Sequence, residues 1–344
     1  MAAMQTMRRG ERRHGALRQR GVAVITALLL TTLAVTIVAS LFWQQQVQVR
    51  SMENQRLHLQ TEWILRGALD WARLILRQDG ADSGNVTALS GVWATPLAET
   101  RLDDYIERER VNNEKYDATL SGQITDAQGR FNLTNLANAR QIDPAQEQVF
   151  GRLLQNLQLD SSLAQTVAEA VARTQQAAPA PPNTNGQGSA TPTPTTVTSK
   201  DPGGAAEPMP MMRVEDLLAV SGFTQEAIER LRDYVIVLPA ATQLNVNTAP
   251  PELLAALSDN MSVSEAQAMA STRLRTYYRN LGDFQLLMNG HTLTLATSQL
   301  DVKSNYFLVL SRVRLDRAAL DTQALVQRVP AMGMKTSLIW IREN

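Results

Sequence analysis

The chain has 344 residues and a formal net charge of zero, so it has no overall attraction to nucleic acid or to acidic surfaces. It contains no cysteine, which excludes disulfides and thiolate metal sites. Its three histidines, His14, His58 and His291, lie far apart and outside any H-E-x-x-H spacing, so neither a zinc site nor a Ser-His-Asp site is recognisable.

The first predicted elements are a basic leader over residues 1–21 and an apolar helix over residues 22–43. The leader carries six arginines against one acid, Glu11, and it ends at Gly21. Residues 22–43 are uncharged, and a helix of that length is roughly 33 Å long, enough to cross a bilayer core of about 30 Å. The arginines predict a cytoplasmic N-terminus, with the rest of the chain across the membrane.

The helix is predicted to continue beyond the membrane over residues 44–80. Apolar residues keep a helical spacing there and fall mostly on one stripe of the helix. A cleaved secretory signal and a plain signal anchor are the alternative interpretations. The signal is disfavoured because its hydrophobic region normally spans about 7–15 residues. The predicted stripe consists of Val47, Leu57, Leu59, Trp63, Ile64, Ala68, Trp71, Leu74 and Ile75.

This order of basic leader, glycine and long helix resembles type IV pilins and the pseudopilins of type II secretion. In that family a prepilin peptidase cuts after the glycine and methylates the new N-terminus. The resemblance therefore implies cleavage between Gly21 and Val22 and N-methylation of Val22. Glycine suits the cut site because it lacks a side chain and frees the backbone just before the helix.

The fifth residue of the processed chain would be Thr26, where most members of the family have Glu. A carboxylate within a bilayer costs about 2.5–3.5 kcal/mol on insertion scales, so it requires a partner. In the family's fibres the expected partner is the terminal amine of the subunit already in place. A subunit without that carboxylate is therefore expected at the tip of the fibre.

Residues 81–139 are predicted to belong to the α/β part of the pilin-like fold, and residues 140–296 to form an inserted helical domain. Residues 118–125 alternate as in a strand, with a turn signal after them. Asp143 and Pro144 begin a helix, since Asp is a frequent cap and Pro is favoured at the first helical position. Residues 177–210 are rich in Ala, Pro and Thr and are predicted to be a flexible loop.

Two related helix pairs follow that loop. Glu-Asp-Leu-Leu-Ala at residues 215–219 is echoed by Pro-Glu-Leu-Leu-Ala at residues 251–255. A capping box at residues 262–265 begins the last helix, which is predicted to run to about Tyr277. Residues 297–344 then alternate with a period of two. They predict three antiparallel strands, at residues 306–315, 322–329 and 335–341.

The predicted fold class is therefore α+β. A type IV pilin-like long N-terminal transmembrane helix packs on an antiparallel sheet. A large all-α insertion with helix-hairpin-helix or SAM-like repeats lies between strands of that sheet, because the strand pattern stops before the helical block and resumes after it.

Four stretches extend the resemblance to the K subunits of type II secretion, the general secretion pathway protein K family. The resemblance implies a non-enzymatic minor pseudopilin that caps the tip of the periplasmic pseudopilus and initiates its assembly for the export of folded proteins. It implies a single-pass protein of the cell inner membrane with most of the chain in the periplasm. The implied partners are the I and J minor pseudopilins, the major pseudopilin fibre and the prepilin peptidase. The stretches are Gly-Arg-Phe-Asn-Leu-Thr-Asn-Leu at residues 129–136, Val-Glu-Asp-Leu at 214–217, Leu-Asn-Val-Asn-Thr-Ala-Pro-Pro-Glu-Leu-Leu at 244–254 and Ser-Asn-Tyr-Phe at 304–307.

Calcium is a possible cofactor because some members of that family bind it. Asp201 and Glu207 are the nearest candidate ligands. A calcium site needs several oxygen ligands that converge on one point. On a flexible loop the two carboxylates are expected to be solvated, so no cofactor is firmly predicted.

The helix pairs also resemble helix-hairpin-helix modules, so a membrane-anchored DNA-binding protein for DNA uptake is the alternative function. Such modules hold the DNA backbone through main-chain N–H groups and nearby basic residues. The hairpins at residues 219–226 and 258–261 contain one glycine, acidic residues and no base, and phosphate contact favours positive charge. No nucleic acid partner is therefore predicted. The basic-aromatic cluster of Arg273, Arg275, Tyr277 and Arg279 is expected to be a solvated helix face.

Overall fold

The computed structural model of the protein describes residues 20–84, 86–102, 118–175, 209–288, 290–329 and 334–343. It divides into two compact units, Met1–Gln60 and Thr61–Asn344. The predicted loop at residues 177–210, Asp201 and Glu207 within it, and residues 1–19 of the predicted leader lie outside the described residues, apart from the last two residues of the loop.

The first α-helix, α1, spans Arg20–Asp82. Residues 22–60 contain neither proline nor glycine, so nothing in their backbone interrupts the helix. In the first unit the side chains of these residues are almost all exposed. Among the described residues α1 is the one helix long and apolar enough to cross a membrane.

The second unit is built on a five-stranded sheet in the order β1-β2-β9-β10-β11, in which all neighbours are antiparallel. The predicted C-terminal strands are confirmed, but β10 begins four residues earlier than expected. Its hairpin with β9 closes through Asp316, with φ of +50°, and Arg317, so the turn is tight. The sheet strands are β1 Leu97–Arg101, β2 Ala118–Asp126, β9 Tyr306–Leu315, β10 Ala318–Val329 and β11 Lys335–Glu343.

The last third of α1 packs on one face of this sheet. Trp93 meets Phe307 of β9 edge to face there, with ring centroids 5.5 Å apart. Of the predicted apolar stripe, Trp63, Trp71 and Leu74 are exposed. Ile64, Ala68 and Ile75 lie at its partly buried edge. The helix residues buried against the sheet are Leu65, Leu69, Ala72 and Leu76.

The helical block lies in the chain between β2 and β9, as predicted, and has its own hydrophobic core. Short two-residue strands accompany it, with β3 parallel to β6, β4 antiparallel to β5 and β7 parallel to β8. Its helices are α2 Pro144–Asn156, α3 Leu163–Thr174, α4 Gln225–Leu231, α5 Pro251–Ala256, α6 Val263–Arg273 and α7 Leu281–Leu287. Its strands are β3 Phe131–Asn132, β4 Ala137–Asn138, β5 Gln141–Ile142, β6 Val235–Ile236, β7 Leu244–Asn245 and β8 Leu300–Asp301.

Local capping explains where these helices begin. The Asp143 carboxylate accepts from the N–H groups of Ala145 and Gln146, and Ser262 and Glu265 form the predicted capping box. The predicted pairs are confirmed as a 3-10 helix at Val214–Ala219 followed by α4, and as α5 followed by α6. The structure differs in ending α6 at Arg273 instead of Tyr277, and in forming α7, which the sequence did not indicate.

Candidate functional site

The residues predicted for processing lie at the start of α1, within the first unit. Arg20 and Gly21 are its first two residues, and Val22 is 62% exposed. Thr26 stands one turn later, and its hydroxyl donates to the carbonyls of Val22 at 3.0 Å and Ala23 at 3.1 Å. The hydroxyl is therefore satisfied by its own helix. Position five of the predicted mature chain presents neither a charge nor an unsatisfied donor.

A second group of polar residues is buried in the second unit, where the helical block meets the sheet. Asp126, at the end of β2, is its centre. One carboxylate oxygen accepts from the Ser304 hydroxyl at 2.6 Å, the Thr248 hydroxyl at 2.7 Å and the Asn245 amide at 2.9 Å. The other accepts from the backbone N–H of Gln128 at 2.9 Å. We call Asp126, Asn245, Thr248 and Ser304 the polar junction.

Burial governs the charge of Asp126. Removal from water raises the pKa of its carboxyl above the ordinary value, and the four donated hydrogen bonds oppose that rise. A buried carboxylate without a cationic partner in contact is costly, so the donors that surround it are needed to keep it in place.

Close packing at the junction explains the glycine of the Gly-Arg-Phe-Asn motif. A Cβ on Gly129 would lie 2.7 Å from the Thr248 hydroxyl, which is too close for any other residue. The neighbouring Gln128 side chain accepts from the N–H of Asn305 at 2.6 Å and donates to the Gln243 carbonyl at 2.9 Å. These contacts fasten the beginning and the end of the helical block to the same corner of the sheet.

Asparagines of the same sequence motifs make similar hydrogen bonds deeper in the helical block. Asn245 also donates to the Thr87 carbonyl at 3.0 Å, and Asn247 exchanges hydrogen bonds with the backbone of Tyr278. Asn132 accepts from the N–H of Leu238 at 3.1 Å. Each amide satisfies backbone groups that would otherwise be buried without partners.

A buried ion pair lies next to the polar junction, near the end of α1. Arg328 of β10 lies 3.0 Å from Asp79, and both side chains are less than one-tenth exposed. The guanidinium also donates to the carbonyls of Leu76 and Ser304 and to the Thr87 hydroxyl. Burial raises the pKa of Asp79, and the hydrogen bond and charge of Arg328 oppose that rise.

Arg273 was expected on a solvated helix face, and this prediction was wrong. Its side chain is buried and donates to the carbonyls of Val246 and Ala249. Burial lowers its pKa to about 10. Arg275 and Tyr277 of the same cluster are exposed. Arg273, the basic residue closest to the repeated helix pairs, therefore stabilises the interior of the helical block.

Within the ranges that the structure describes, no group of three or more His, Cys, Asp or Glu residues could hold a metal ion. The polar junction joins the sheet, the helical block and the segment after α1 through hydrogen bonds that span much of the chain. It was missed as a unit because its members are separated in sequence, although the polar residues of the Leu-Asn-Val-Asn-Thr stretch were a visible signal in an apolar context.

Models of a known protein family match the parts of the chain that contain these motifs. Residues 129–240 match a family model described as type II secretion system (T2SS), protein K, and residues 244–303 match a second model with the same description. The two matches together cover half of the chain. They begin at Gly129 and end beside Ser304, at the two borders of the helical block.

Relatives of similar length exist in several bacteria. The type II secretion system protein K of Pseudomonas aeruginosa is 29% identical over 303 residues, which is 86% of this chain and 85% of the relative. The Klebsiella pneumoniae protein of the same name is 28% identical over 323 residues, or 90% and 93% of the two chains.

A solved structure shares the fold. A chain in the crystal structure of the GspK-GspI-GspJ complex from the type 2 secretion system of enterotoxigenic Escherichia coli superposes with a TM-score of 0.60 at 17% identity. The superposition covers 85% of this chain and 99% of that one. At this identity the likeness shows the architecture.

Proposed function

Because the chain belongs to the type II secretion system protein K family, we propose that it is a minor pseudopilin that caps the tip of the periplasmic pseudopilus and initiates its assembly. The proposal includes cleavage by the prepilin peptidase between Gly21 and Val22 and N-methylation of Val22. The α1 helix then anchors the protein in the inner membrane, and most of the chain lies in the periplasm.

The observation that carries the tip position is the chemistry of Thr26. In the fibres of the family that this chain resembles, a carboxylate at this position is the expected partner of a neighbouring subunit's terminal amine. The Thr26 hydroxyl is uncharged and already bonded to the carbonyls of Val22 and Ala23, so it offers no countercharge. A subunit that cannot receive another amine has no subunit above it, which makes it the first one in the polymer.

The helical block supports the same position on steric grounds. It adds a separate hydrophobic core to the sheet domain, and the hydrogen bonds of the polar junction connect the two. Such a bulky addition is accommodated most readily at a tip, where no further subunit must stack on it. By analogy with the complex named in the solved structure, the partners would be I-type and J-type minor pseudopilins, followed by the major pseudopilin fibre.

Calcium binding by Asp201 and Glu207 stays a prediction, since both residues lie outside the described ranges. Nucleic acid binding has no specific support. The turn at Ser221 and Gly222 packs so closely on Leu163 that a Cβ on Gly222 would be 2.6 Å from its side chain. The second hairpin uses Asn260 to bind the Gly290 carbonyl at 3.0 Å.

The processing step is tested by N-terminal sequencing of the protein isolated from membranes. We expect a chain that begins with methylated Val22, and a Gly21→Trp variant that keeps its leader. A native chain that begins at Met1 or near residue 40 would contradict the proposal.

The tip position is tested by immunogold labelling of isolated pseudopili. The wild-type protein should give one label at an end of each fibre. A Thr26→Glu variant regains the carboxylate, so it should give more labels within the shaft than Thr26→Gln, which has the same shape as the glutamate and no charge. The bulk of the helical block should still keep most labels of both variants at the end of the fibre. Labels of the wild-type protein at regular intervals along the fibre would exclude a tip subunit.

A further inference from the structure

We propose that the loop between α6 and α7, residues 274–280, is a docking site for an acidic segment of a protein partner. We call these residues the α6–α7 loop. The inference goes beyond the proposed function, because it assigns an interaction to the helical block and does not depend on a position at the tip.

The exposed side of the α6–α7 loop combines aliphatic, aromatic and basic side chains. Leu274 is 61% exposed and Tyr277 is 43% exposed, and Arg275 and Arg279 are exposed beside them in the sequence. Single exposed apolar residues are common on protein surfaces. Tyrosine and arginine together, however, are the residue types enriched in protein interfaces and at their hot spots. The composition of the loop is therefore that of an interaction site.

The fold leaves the positive charge of this loop without a countercharge. Residues 266–282 contain three arginines and no acidic residue. Within the described ranges neither Arg275 nor Arg279 has a carboxylate at ion-pair distance. Asp283, the next acid along the chain, accepts from the backbone N–H of Arg279 at 3.0 Å, which helps to hold the backbone. Both guanidinium groups are thus available to a partner.

The interior of the helical block holds the backbone of the loop in place. Arg273, directly before the loop, is buried and donates to two backbone carbonyls. Within the loop, the backbone N–H and carbonyl of Tyr278 both bond to the Asn247 side chain at 2.9 Å. The Tyr278 ring packs edge to face on Phe284, with ring centroids 5.5 Å apart. A loop that is already ordered loses little conformational freedom on binding, so more of its contact energy remains for affinity.

The chemistry of the exposed side chains favours an acidic protein over other anionic partners. The planar guanidinium of arginine binds a carboxylate through two parallel hydrogen bonds. A site for anionic lipid carries clusters of about 4–8 basic residues, and DNA binding at physiological salt depends on many phosphate contacts. Two exposed arginines are too few for either. Leu274 and Tyr277 add apolar area of the kind that a protein surface covers.

The test uses the full-length protein in the organism that encodes it, with a photo-crosslinking residue in place of Thr276, which is exposed in the loop. Crosslinked adducts are purified through a tag on this chain and mapped by mass spectrometry. The variant Arg275→Glu with Arg279→Glu reverses the charge of the loop. The matched control, Arg314→Glu with Arg317→Glu, makes the same change of charge at exposed arginines near the β9–β10 turn.

We expect one dominant protein adduct, with the crosslinked peptide beside aspartate or glutamate residues. Reversal of the loop charge should lower the yield of this adduct at least about tenfold, and the matched control should leave it unchanged. Substitution of arginine for those acidic residues of the partner should restore the adduct of the charge-reversed loop. The Tm of every variant should stay within about 2 °C of the wild type, because exposed substitutions change stability little.

Four results would overturn the docking site. They are the absence of any adduct, a dominant adduct with lipid or nucleic acid, a protein adduct at a neutral or basic segment, and an equal loss of yield in the matched control. Each would leave the proposed function standing, since N-terminal sequencing and fibre labelling test that function separately.

Discussion

Thr26 and Thr248 carry the same hydroxyl in two regions of the molecule, and they use it in opposite ways. The Thr26 hydroxyl donates within its own helix turn, to a carbonyl four residues earlier. The Thr248 hydroxyl donates to Asp126 across 122 positions of the chain. In the N-terminal helix Thr31, Thr32 and Thr36 likewise donate to carbonyls three or four residues earlier. In the polar junction, satisfaction of a hydroxyl depends on the entire fold of the second unit.

The two hydroxyls therefore belong to two different structural tasks, the insertion of a helix into a membrane and the stabilisation of a tertiary fold. A helix whose polar groups are closed internally can enter a bilayer without help from tertiary structure. A buried carboxylate needs donors from several distant segments, so it fixes those segments relative to one another. The contrast predicts large effects of substitution at the junction and its ion pair, and small effects in the helix.

The largest effect is expected at Arg328. Arg328→Met should destabilise the protein by about 3–5 kcal/mol, because it leaves Asp79 as a buried charge and removes the donor to three further oxygens. Arg312→Met is the matched control on the neighbouring strand. Its exposed pair with Asp321 at 2.7 Å should contribute little. Urea unfolding of the purified full-length chain, followed by tryptophan fluorescence, measures both. Equal losses in the free energy of unfolding for Arg328→Met and Arg312→Met would contradict the prediction that the buried ion pair contributes more than the exposed one.

A smaller effect with a distinct pH dependence is expected at Asp126. Asp126→Asn leaves at least one buried donor without an acceptor, which costs about 1–3 kcal/mol. Burial raises the pKa of Asp126 in the folded chain above its ordinary value of 3.8, so the folded state binds this proton more tightly than the unfolded state. The resulting stabilisation is complete below about pH 4 and is lost as the pH rises through the folded-state pKa.

The measurement is the free energy of unfolding as a function of pH for the wild type and Asp126→Asn. At low pH the wild type should have the higher free energy of unfolding. Its advantage over Asp126→Asn should become smaller as the pH rises, because only the wild type has the titrating group. Asp233→Asn, at a side chain that is 85% exposed, should follow the wild type. Parallel curves for the wild type and Asp126→Asn would show that the carboxyl has an ordinary pKa.

The smallest effects come from a matched pair of threonines. Thr248→Val should cost about 1 kcal/mol or somewhat more, because Asp126 loses a donor in a buried site. Thr26→Val should change neither membrane insertion nor the unfolding midpoint by a measurable amount, since valine leaves the helix backbone bonds intact. Membrane fractionation and thermal unfolding test the pair. A marked loss from Thr26→Val would mean that its hydroxyl contacts another subunit.

Much of the fold was predictable because its signals are local. The uncharged run after Gly21, the cap at Asp143, the capping box at Ser262 and the alternation of the last strands all depend on neighbours within a few residues. The strand β1 and the helix α7 were not predicted, because they are short and their sequences have no strong period of their own.

Which side of α1 faces the sheet was beyond prediction for a different reason. That helix has apolar residues on more than one side, so periodicity indicates amphipathic character without choosing between Leu69 and Trp71 as the buried residue. Contact with Phe307 and the other sheet residues made the choice. Trp63 and Trp71 were left exposed.

What the sequence by itself determined was therefore a helix long and apolar enough to span a membrane, and the order of sheet and helical block. Processing at Gly21 and Val22 stays a prediction from the sequence. Each depends on interactions between near neighbours along the chain. Only the tertiary structure decided that Asp126 is surrounded by Asn245, Thr248 and Ser304, and that Arg273 is buried. Hydrogen bonds between residues 24 to 178 positions apart leave no periodic trace in the sequence, because the chain must fold before those groups can meet.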